Sequence, residues 1–274
     1  MRKYYTRACN FYYGKISRKK IKDKLALPLC GNKEISFSNI EIFTRNKKKI
    51  SSKIINIKNI KFQSLILKKK LKKDIVRITA KRNYFNNPTI MGILNMTPDS
   101  FSDGGQYNKT FKALKHINLM INSGAEIIDI GGESTRPGSK TISPKKEWKR
   151  ISQIVKNFKK KFPKVKLSVD TRKSSVMENS LKYKVDIIND ISSFNHDSES
   201  LKKIENFNIF KIIHHMQGTP QTMQINPKYN NVLLDIYDFF EKIIEKKFFG
   251  KKFSKNIILD PGIGFGKNLK HNLM

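Results

Sequence analysis

Short, nearly continuous apolar runs alternate with amphipathic segments from residue 89 onward. Strands that are covered by helices on both faces of a parallel sheet have this composition, because neither face meets water. The alternation therefore predicts α/β architecture with a parallel sheet. The six predicted strands are residues 89–95, 126–132, 165–171, 185–190, 209–215 and 256–262.

The segments between these runs have the ends and the periodicity of helices. Ser143 and Pro144 are predicted to be the N-cap and the first residue of one helix, and Gly124 is predicted to end the preceding one. Apolar residues at helical spacing are predicted to be core: Phe111, Leu114, Ile117 and Ile121 in the first helix, and Trp148, Ile151, Val155, Phe158 and Phe162 in the second.

The first 85 residues differ from the rest of the chain, because they hold 25 basic and only 4 acidic side chains. We expect a small basic α+β region at 1–86, of unknown role, followed by a (β/α) barrel at 87–274. The predicted elements of the basic region are helices near 15–26 and 63–73 and alternating stretches at 34–43 and 51–62.

The formal charge of the whole chain is +34. A charge of this size suits a nucleic-acid partner. However, 47 of the basic residues are Lys and only 9 are Arg, and Asn and Ile are also abundant, as in proteins of AT-rich genomes. Proteins that bind phosphates and bases favour Arg, whose guanidinium forms bidentate contacts. We therefore predict no nucleic-acid partner.

Cysteine content and hydropathy exclude further classes of protein. The two cysteines, Cys9 and Cys30, have no metal-ligand spacing and cannot form a disulfide framework. No apolar run approaches the ~18 residues that a membrane span needs, and the N-terminus lacks the apolar region of a secretory signal. The prediction is a cytoplasmic protein that does not bind membranes.

Polar side chains occur near the C-terminal end of every predicted strand. In a (β/α) barrel, that rim is where the active site is built. One Asp or Asn at a strand end is usually a helix cap or a turn former, but six successive strands with this feature favour a binding site. These residues are Asn95, Asp129, Asp170, Asn189, Asp190, His214, His215 and Asp260.

The carboxylates indicate what such a site could bind. Asp170 and Asp260 would be costly in an apolar barrel unless a ligand donated hydrogen bonds to them, as a guanidine-like ring edge does. The stretch "DPGIGFGK" (260–267) adds three glycines and Phe265 beside Asp260. We expect these glycines to let the backbone approach a flat ligand, with the aromatic ring against it.

Several longer motifs follow one another from residue 95 onward. They are "NMTPDSFSDGG" (95–105), "GGESTRPGS" (131–139), "SVDT" (168–171), "IIND" (187–190), "HMQG" (215–218) with "PKY" (227–229), and "DPGIGFGKN" (260–268). In this order, they resemble the motifs of the dihydropteroate synthases, enzymes of the folate pathway, and the resemblance covers residues 89–273.

The resemblance implies a TIM (β/α)8 barrel that joins 4-aminobenzoate to (7,8-dihydropterin-6-yl)methyl diphosphate, and it suggests a homodimer. Asp170 and Asp260 would be catalytic, and both would bind the pterin together with Asn189. Met216 and Phe265 would line the pterin pocket, and Asn95 would bind Mg²⁺. The residues of the two loops that close over aminobenzoate would be Phe101, Thr135, Arg136 and Pro137, with Thr135 also touching the diphosphate.

The sequence departs from the family in its number of strands. Residues 89–274 supply six strands, whereas a closed barrel has about eight. We expect an incomplete barrel that lacks the C-terminal units, with their Ser-Arg-Lys and Arg-x-His elements, and hence a fragment of a longer protein or a product of low activity. The alternatives are a catalytically weak or dead pterin-binding protein, a methyltetrahydrofolate-binding methyltransferase barrel and, from charge alone, a nucleic-acid binder.

Overall fold

The chain divides into two compact units, Met1–Pro88 and Thr89–Met274, in a computed structural model. The structure describes residues 2–81, 88–97, 106–134, 136, 138–250 and 256–274, with the side chains of 106–109 left out. Each unit has its own hydrophobic core.

An antiparallel sheet forms the first unit. Strand β3 pairs along one edge with β1 and along the other edge with β2 and β4. The strands are β1 (Arg2–Tyr13), β2 (Leu27–Leu29), β3 (Asn32–Asn46) and β4 (Lys49–Asn56); the helices are α1 (Gly14–Lys22), a 3-10 helix (Ile57–Phe62) and α2 (Leu65–Thr79). The core of this unit consists of Phe37, Ile40, Ile42, Leu67 and Leu71.

Strands β1 and β2 were missed by the sequence analysis, and β1 is the longer of the two. Its sequence, RKYYTRACNFYY, places Arg and Lys among aromatic residues, and only Tyr5 is fully buried. The charged residues therefore obscured the strand pattern of this segment, although its five aromatic residues are typical of a sheet.

A parallel sheet with consecutive strand order forms the second unit, which confirms the predicted α/β class. Each of the six predicted runs contains one strand. They are β5 (Met91–Asn95), β6 (Ile127–Gly131), β7 (Lys166–Asp170), β8 (Ile187–Asp190), β9 (Phe210–His214) and β10 (Ile257–Asp260).

Helices follow the strands along the chain. They are α3 (Gln106–Asn122), α4 (Pro144–Lys161), α5 (Ser174–Leu181), α6 (Ser200–Ile204), α7 (Val232–Ile243), which continues into a π-helical turn (Ile244–Phe248), and α8 (Leu269–Leu273). The predicted start of α4 is confirmed, because the Ser143 hydroxyl accepts a hydrogen bond from the Lys146 backbone N–H and Pro144 is the first helical residue.

The core of the second unit lies between one face of this sheet and the helices. Side chains of alternate strand positions, such as Leu94, Ile130 and Val169, pack there together with residues of α3 and α4. The side chains at the intervening strand positions therefore point to the opposite face of the sheet. Most of the polar residues at the strand ends are among them.

The predicted core stripe of α3 is wrong at Phe111, which is 66% exposed. The prediction is confirmed at Ile117, which is fully buried, and Ala113, which was not predicted, is fully buried as well. Two residues along a helix correspond to a rotation of about 200°, so Phe111 points away from the face that carries Ala113. Leu114 and Ile121 pack at the margin of the core.

In the part of the chain that the structure describes, no helix combines the length and the apolar character needed to cross a membrane.

Candidate active site

Four neighbouring strands place the predicted site residues in one row. In the sheet register, Asn95 on β5 lies opposite Gly131 on β6, Gly131 opposite Asp170 on β7, and Asp170 opposite Asn189 on β8. Residues in register on adjacent parallel strands point to the same face, so the side chains of Asn95, Asp170 and Asn189 share one surface.

Gly131 leaves space between two oxygen atoms of this row. A Cβ atom at position 131 would lie 3.3 Å from Oδ1 of Asn95 and 3.3 Å from Oδ2 of Asp170. The absence of a side chain therefore lets both oxygens face the same space above β6.

Asp129 and Asn189 form a hydrogen bond deeper on the same face. The Asn189 amide Nδ2 donates to Oδ2 of Asp129 at 2.9 Å, and Asp129 is only 4% exposed. Among the described residues, the other oxygen of each side chain is buried without a hydrogen-bond partner, and burial raises the pKa of Asp129 while the neighbouring Ser168 hydroxyl lowers it. Buried polar atoms of this kind normally have partners, so their arrangement favours a polar ligand.

Asp260 and His214 lie on the last two strands of the sheet, two residues beyond Ile258 and Ile212, which are the positions in register with Asn189. The two residues are opposite each other in register, and Asp260 Oδ2 lies 3.9 Å from His214 Nε2. The other oxygen of Asp260 accepts a hydrogen bond from the Gly262 backbone N–H at 2.8 Å. The ring of Phe265 stands edge-on to that of His214, with centroids 4.6 Å apart. Phe265 thus packs on the imidazole that lies beside the Asp260 carboxylate, and its contact with a ligand stays a prediction.

The carboxylates of this face interact electrostatically. Burial, followed by the negative charges of Asp129 and Glu147, raises the pKa of Asp170 well above its ordinary value. Burial also raises the pKa of Asp129, with a smaller contribution from the charge of Asp260. A ligand that donates hydrogen bonds from N–H groups, or that carries positive charge, would stabilise the ionised carboxylates of Asp170 and Asp129.

Two glycines of the 260–267 loop lie against the backbone of the segment after β9. A Cβ at Gly262 would lie 2.1 Å from the backbone oxygen of His215, and one at Gly266 would lie 2.9 Å from the backbone of Gln217. These two glycines therefore allow the loop to pack against that segment, and the approach of the loop to a ligand stays a prediction. Nothing lies within 4 Å of a Cβ at Gly264.

Lys267 holds this loop from within and was missed by the sequence analysis. Its ammonium donates to the backbone oxygens of Gly262 at 2.8 Å and Phe265 at 2.9 Å, and to Nδ1 of His215 at 3.0 Å. Burial lowers the pKa of Lys267 to about 8. The signal available in the sequence was Lys267 at the end of a glycine-rich loop, two residues after Phe265.

A buried ion network joins the segments that follow β6 and β7 to helix α4. The sequence analysis also missed this network. The Lys173 ammonium lies 2.8 Å from Glu133 Oε1 and 2.5 Å from Glu147 Oε2, and the Arg172 Nε donates to Glu133 Oε2 at 2.9 Å. Glu147 lies on the buried face of α4, at helical spacing from Ile151. The position of Glu147 on the apolar stripe of α4 was the signal available in the sequence. A buried carboxylate requires a partner, so a cation was to be expected beside it.

The remaining predicted residues are only partly covered by the structure. Met216 follows β9 directly and is partly buried. Arg136 is exposed, and its backbone oxygen accepts a hydrogen bond from the Ser139 N–H at 3.0 Å. The other three predicted loop residues, Phe101, Thr135 and Pro137, lie outside the described residues.

The oxygen atoms beside Gly131 suit a magnesium ion that is held mostly by phosphate and water. Mg²⁺ prefers oxygen ligands and often takes only one or two from the protein. Oδ1 of Asn95, beside Gly131, is an oxygen of the kind that could hold such an ion. Within the described ranges, no group of three or more His, Cys, Asp or Glu could hold a metal by itself.

Comparison with known proteins agrees with this geometry. A family model described as "Pterin binding enzyme" matches residues 91–274. The chain is 45% identical to the dihydropteroate synthase of Escherichia coli (strain K12) over 187 residues, which cover 68% of this chain and 66% of that protein. It is 43% identical to the dihydropteroate synthase of Clostridium beijerinckii over 185 residues, 67% of this chain and 65% of that one.

Solved structures of the same enzyme share the fold. The Yersinia pestis dihydropteroate synthase in complex with a sulfonamide drug is 44% identical, with a TM-score of 0.62 over 68% of this chain and 67% of that chain. The Xanthomonas albilineans dihydropteroate synthase with 4-aminobenzoic acid is 30% identical, with a TM-score of 0.61 over 69% and 66%. The second unit therefore has a TIM-barrel-like α/β fold, and the chain spans about two thirds of the length of the curated relatives.

Proposed function

The chain belongs to the pterin-binding enzyme family, and from that membership we propose that it acts as a dihydropteroate synthase. The reaction joins 4-aminobenzoate to (7,8-dihydropterin-6-yl)methyl diphosphate and releases diphosphate. The observation that carries the proposal is the polar row on one face of the sheet, where Asn95, Asp170 and Asn189 are in register around Gly131.

In this proposal, Asp170, Asn189 and Asp260 bind the pterin ring. A dihydropterin carries N–H groups and an exocyclic amine along one edge, which match carboxylate and amide oxygens. The raised pKa of Asp170 supports this role, since burial and nearby negative charge leave that carboxyl in need of a donor. Phe265 and Met216 would cover the faces of the ring.

Asn95 is proposed to hold the leaving-group end of the substrate through Mg²⁺, together with Thr135. The ion, when bound, would neutralise the diphosphate and so make it a better leaving group. We propose that Phe101, Arg136 and Pro137 contact 4-aminobenzoate and exclude water from the reacting atoms.

The chemistry requires positioning more than a strong base. The C–O bond between the pterin methylene and diphosphate breaks, the aniline nitrogen forms a bond to that carbon, and the nitrogen then loses a proton. Positive charge develops on the pterin-methyl group as diphosphate departs. The carboxylates of Asp170 and Asp260 would stabilise that charge while they hold the ring in line with the amine.

The proposal is tested by the release of diphosphate in the presence of both substrates and Mg²⁺. Asp260→Asn and Asp170→Asn should each lower kcat/KM by about 10- to 100-fold, the effect of losing a hydrogen bond to a charged group. Glu205→Gln, at an exposed position with no role in the site, should have wild-type activity. Binding of pterin by the wild type without turnover would instead identify a pterin-binding protein.

Three further parts of the sequence analysis stay predictions: the homodimer, the cytoplasmic location and the absence of a nucleic-acid partner. The role of the first unit is likewise untouched by this proposal.

A further inference from the structure

The hydrogen bond between Asn189 and Asp129 spans a strand. Asn189 is on β8 and Asp129 is on β6, so the two backbones are separated by β7, at about twice the 4.8 Å spacing of neighbouring strands. Ser168, the residue of β7 in register with Asp129, is small enough to let the two side chains meet above it. The bond from Nδ2 to Oδ2 is 2.9 Å long.

This bond determines which end of the Asn189 amide faces the site. An amide group has a donor end and an acceptor end of nearly the same shape. Because the donor end is directed at Asp129, the acceptor Oδ1 is turned the other way. In the described part of the chain, that oxygen is buried without a hydrogen-bond partner.

We propose that Asp129 is a positioning residue, which orients the Asn189 amide so that its oxygen accepts a hydrogen bond from an N–H group of the pterin ring. The inference rests on the proposed function. It also predicts specificity, since a ring with an unprotonated nitrogen at that position would face a second acceptor and bind weakly.

A carboxylate is better suited to this task than an amide would be. In its ionised form it only accepts, so it admits one orientation of its partner, whereas an amide at position 129 could rotate and let Asn189 turn around. Burial raises the pKa of Asp129, and the hydrogen bonds from Ser168 and then from Asn189 oppose that effect. The hydrogen bond from Asn189 therefore also favours the ionised carboxylate of Asp129, which is the form that orients the Asn189 amide.

The test exchanges the two side chains. Asn189→Asp alone places two carboxyl groups in contact, and Asp129→Asn alone permits both orientations of the amides. The double variant, with both changes, restores a donor at position 129 and an acceptor at position 189. The probe is 6-hydroxymethylpterin, which carries the ring without the diphosphate, and its Kd is measured by calorimetry.

We expect each single variant to raise the Kd by at least about tenfold, the effect of one misplaced hydrogen bond in a desolvated site. The double variant should return to within about threefold of the wild-type value, because the hydrogen-bond pattern is restored. Asn208→Asp is the matched control, since Asn208 accepts a hydrogen bond from Asn256 at 2.7 Å in an exposed pair and should leave the Kd unchanged.

Thermal unfolding of the same variants separates the possible failures. A double variant that regains the wild-type melting temperature but not the affinity for the ring would make Asp129 a structural residue and overturn the inference. A wild-type affinity in Asp129→Asn would overturn it as well. If the wild-type chain binds no pterin, the proposed function fails together with the ligand contact inferred here. Non-additive melting temperatures would then still establish the coupling of Asp129 with Asn189.

Discussion

The Lys267 ammonium lies 3.0 Å from Nδ1 of His215 and fixes the tautomer of that imidazole. An ammonium can only donate, so Nδ1 accepts and the ring proton is on Nε2. Burial, with the positive charge of Lys267 as the second cause, lowers the pKa of His215 to about 4. His215 is therefore neutral at pH 7 and forms part of the support of the 260–267 loop.

The low pKa of His215 makes stability depend on pH. The unfolded chain binds a proton at this residue near pH 6.5 and the folded chain only near pH 4, so the contribution of His215 to stability is complete above pH 6.5 and decreases as the pH falls toward 4. At pH 5 the loss should be about 2 kcal/mol relative to pH 8. The measurement is urea unfolding of the wild type and His215→Gln across this range.

The comparison of the wild type with His215→Gln is needed because a second buried group, Asp190, titrates in the same pH range. Burial raises the pKa of Asp190 to about 6, and this stabilises the folded state at low pH, an effect lost as the pH rises through 6. The effect of Asp190 cancels in the difference between wild type and His215→Gln. Parallel stability curves for the two proteins would show that His215 titrates normally.

Removal of the Lys267 ammonium should loosen the loop that carries Asp260 and Phe265. Lys267→Met leaves the backbone oxygens of Gly262 and Phe265 without their donor, which should cost about 2 to 4 kcal/mol of unfolding free energy. Lys270→Met, three residues away at an exposed position, should change stability by less than about 0.5 kcal/mol. Equal effects of the two substitutions would contradict the assigned role of Lys267.

Two glycines of the same loop provide a matched steric test. Gly262 and Gly264 both have left-handed backbone conformations, with φ of +67° and +82°, but only Gly262 lies against another backbone atom. Gly262→Ala should therefore destabilise the protein by at least about 2 kcal/mol more than Gly264→Ala, since the conformational cost of about 1 kcal/mol is common to both. Thermal unfolding of the two variants measures the difference.

The buried network around Lys173 should be sensitive to loss of its cation. Lys173→Met leaves the carboxylate of Glu147 buried without a cation, whereas Glu133 keeps its pair with Arg172, and the expected loss of stability is about 3 to 5 kcal/mol. Lys203→Met removes an exposed ion pair with Glu178, 3.0 Å long, and should cost less than about 1 kcal/mol. Chemical denaturation of both variants compares a buried with an exposed pair, and similar costs would refute the argument.

Local signals in the sequence were sufficient for the six strands of the second unit and for the start of α4. Each strand was an apolar run, and the start of α4 was evident from Ser143 and Pro144, because caps and periodicity are local properties of a chain. They were insufficient for β1, whose charged residues masked a strand, and for Phe111, whose direction depends on how α3 rotates against the sheet.

The amino-acid sequence was enough to identify the polar residue types at the strand ends and the family of the chain. The interactions between those residues became visible in the folded unit alone. The bond from Asn189 to Asp129, the closeness of Asn95 to Asp170 across Gly131, and the position of Lys267 under the loop all join residues that are far apart in the chain or oriented by packing. Such contacts depend on strand register and burial, and these arise from the packing of the whole unit, so no local pattern could predict them.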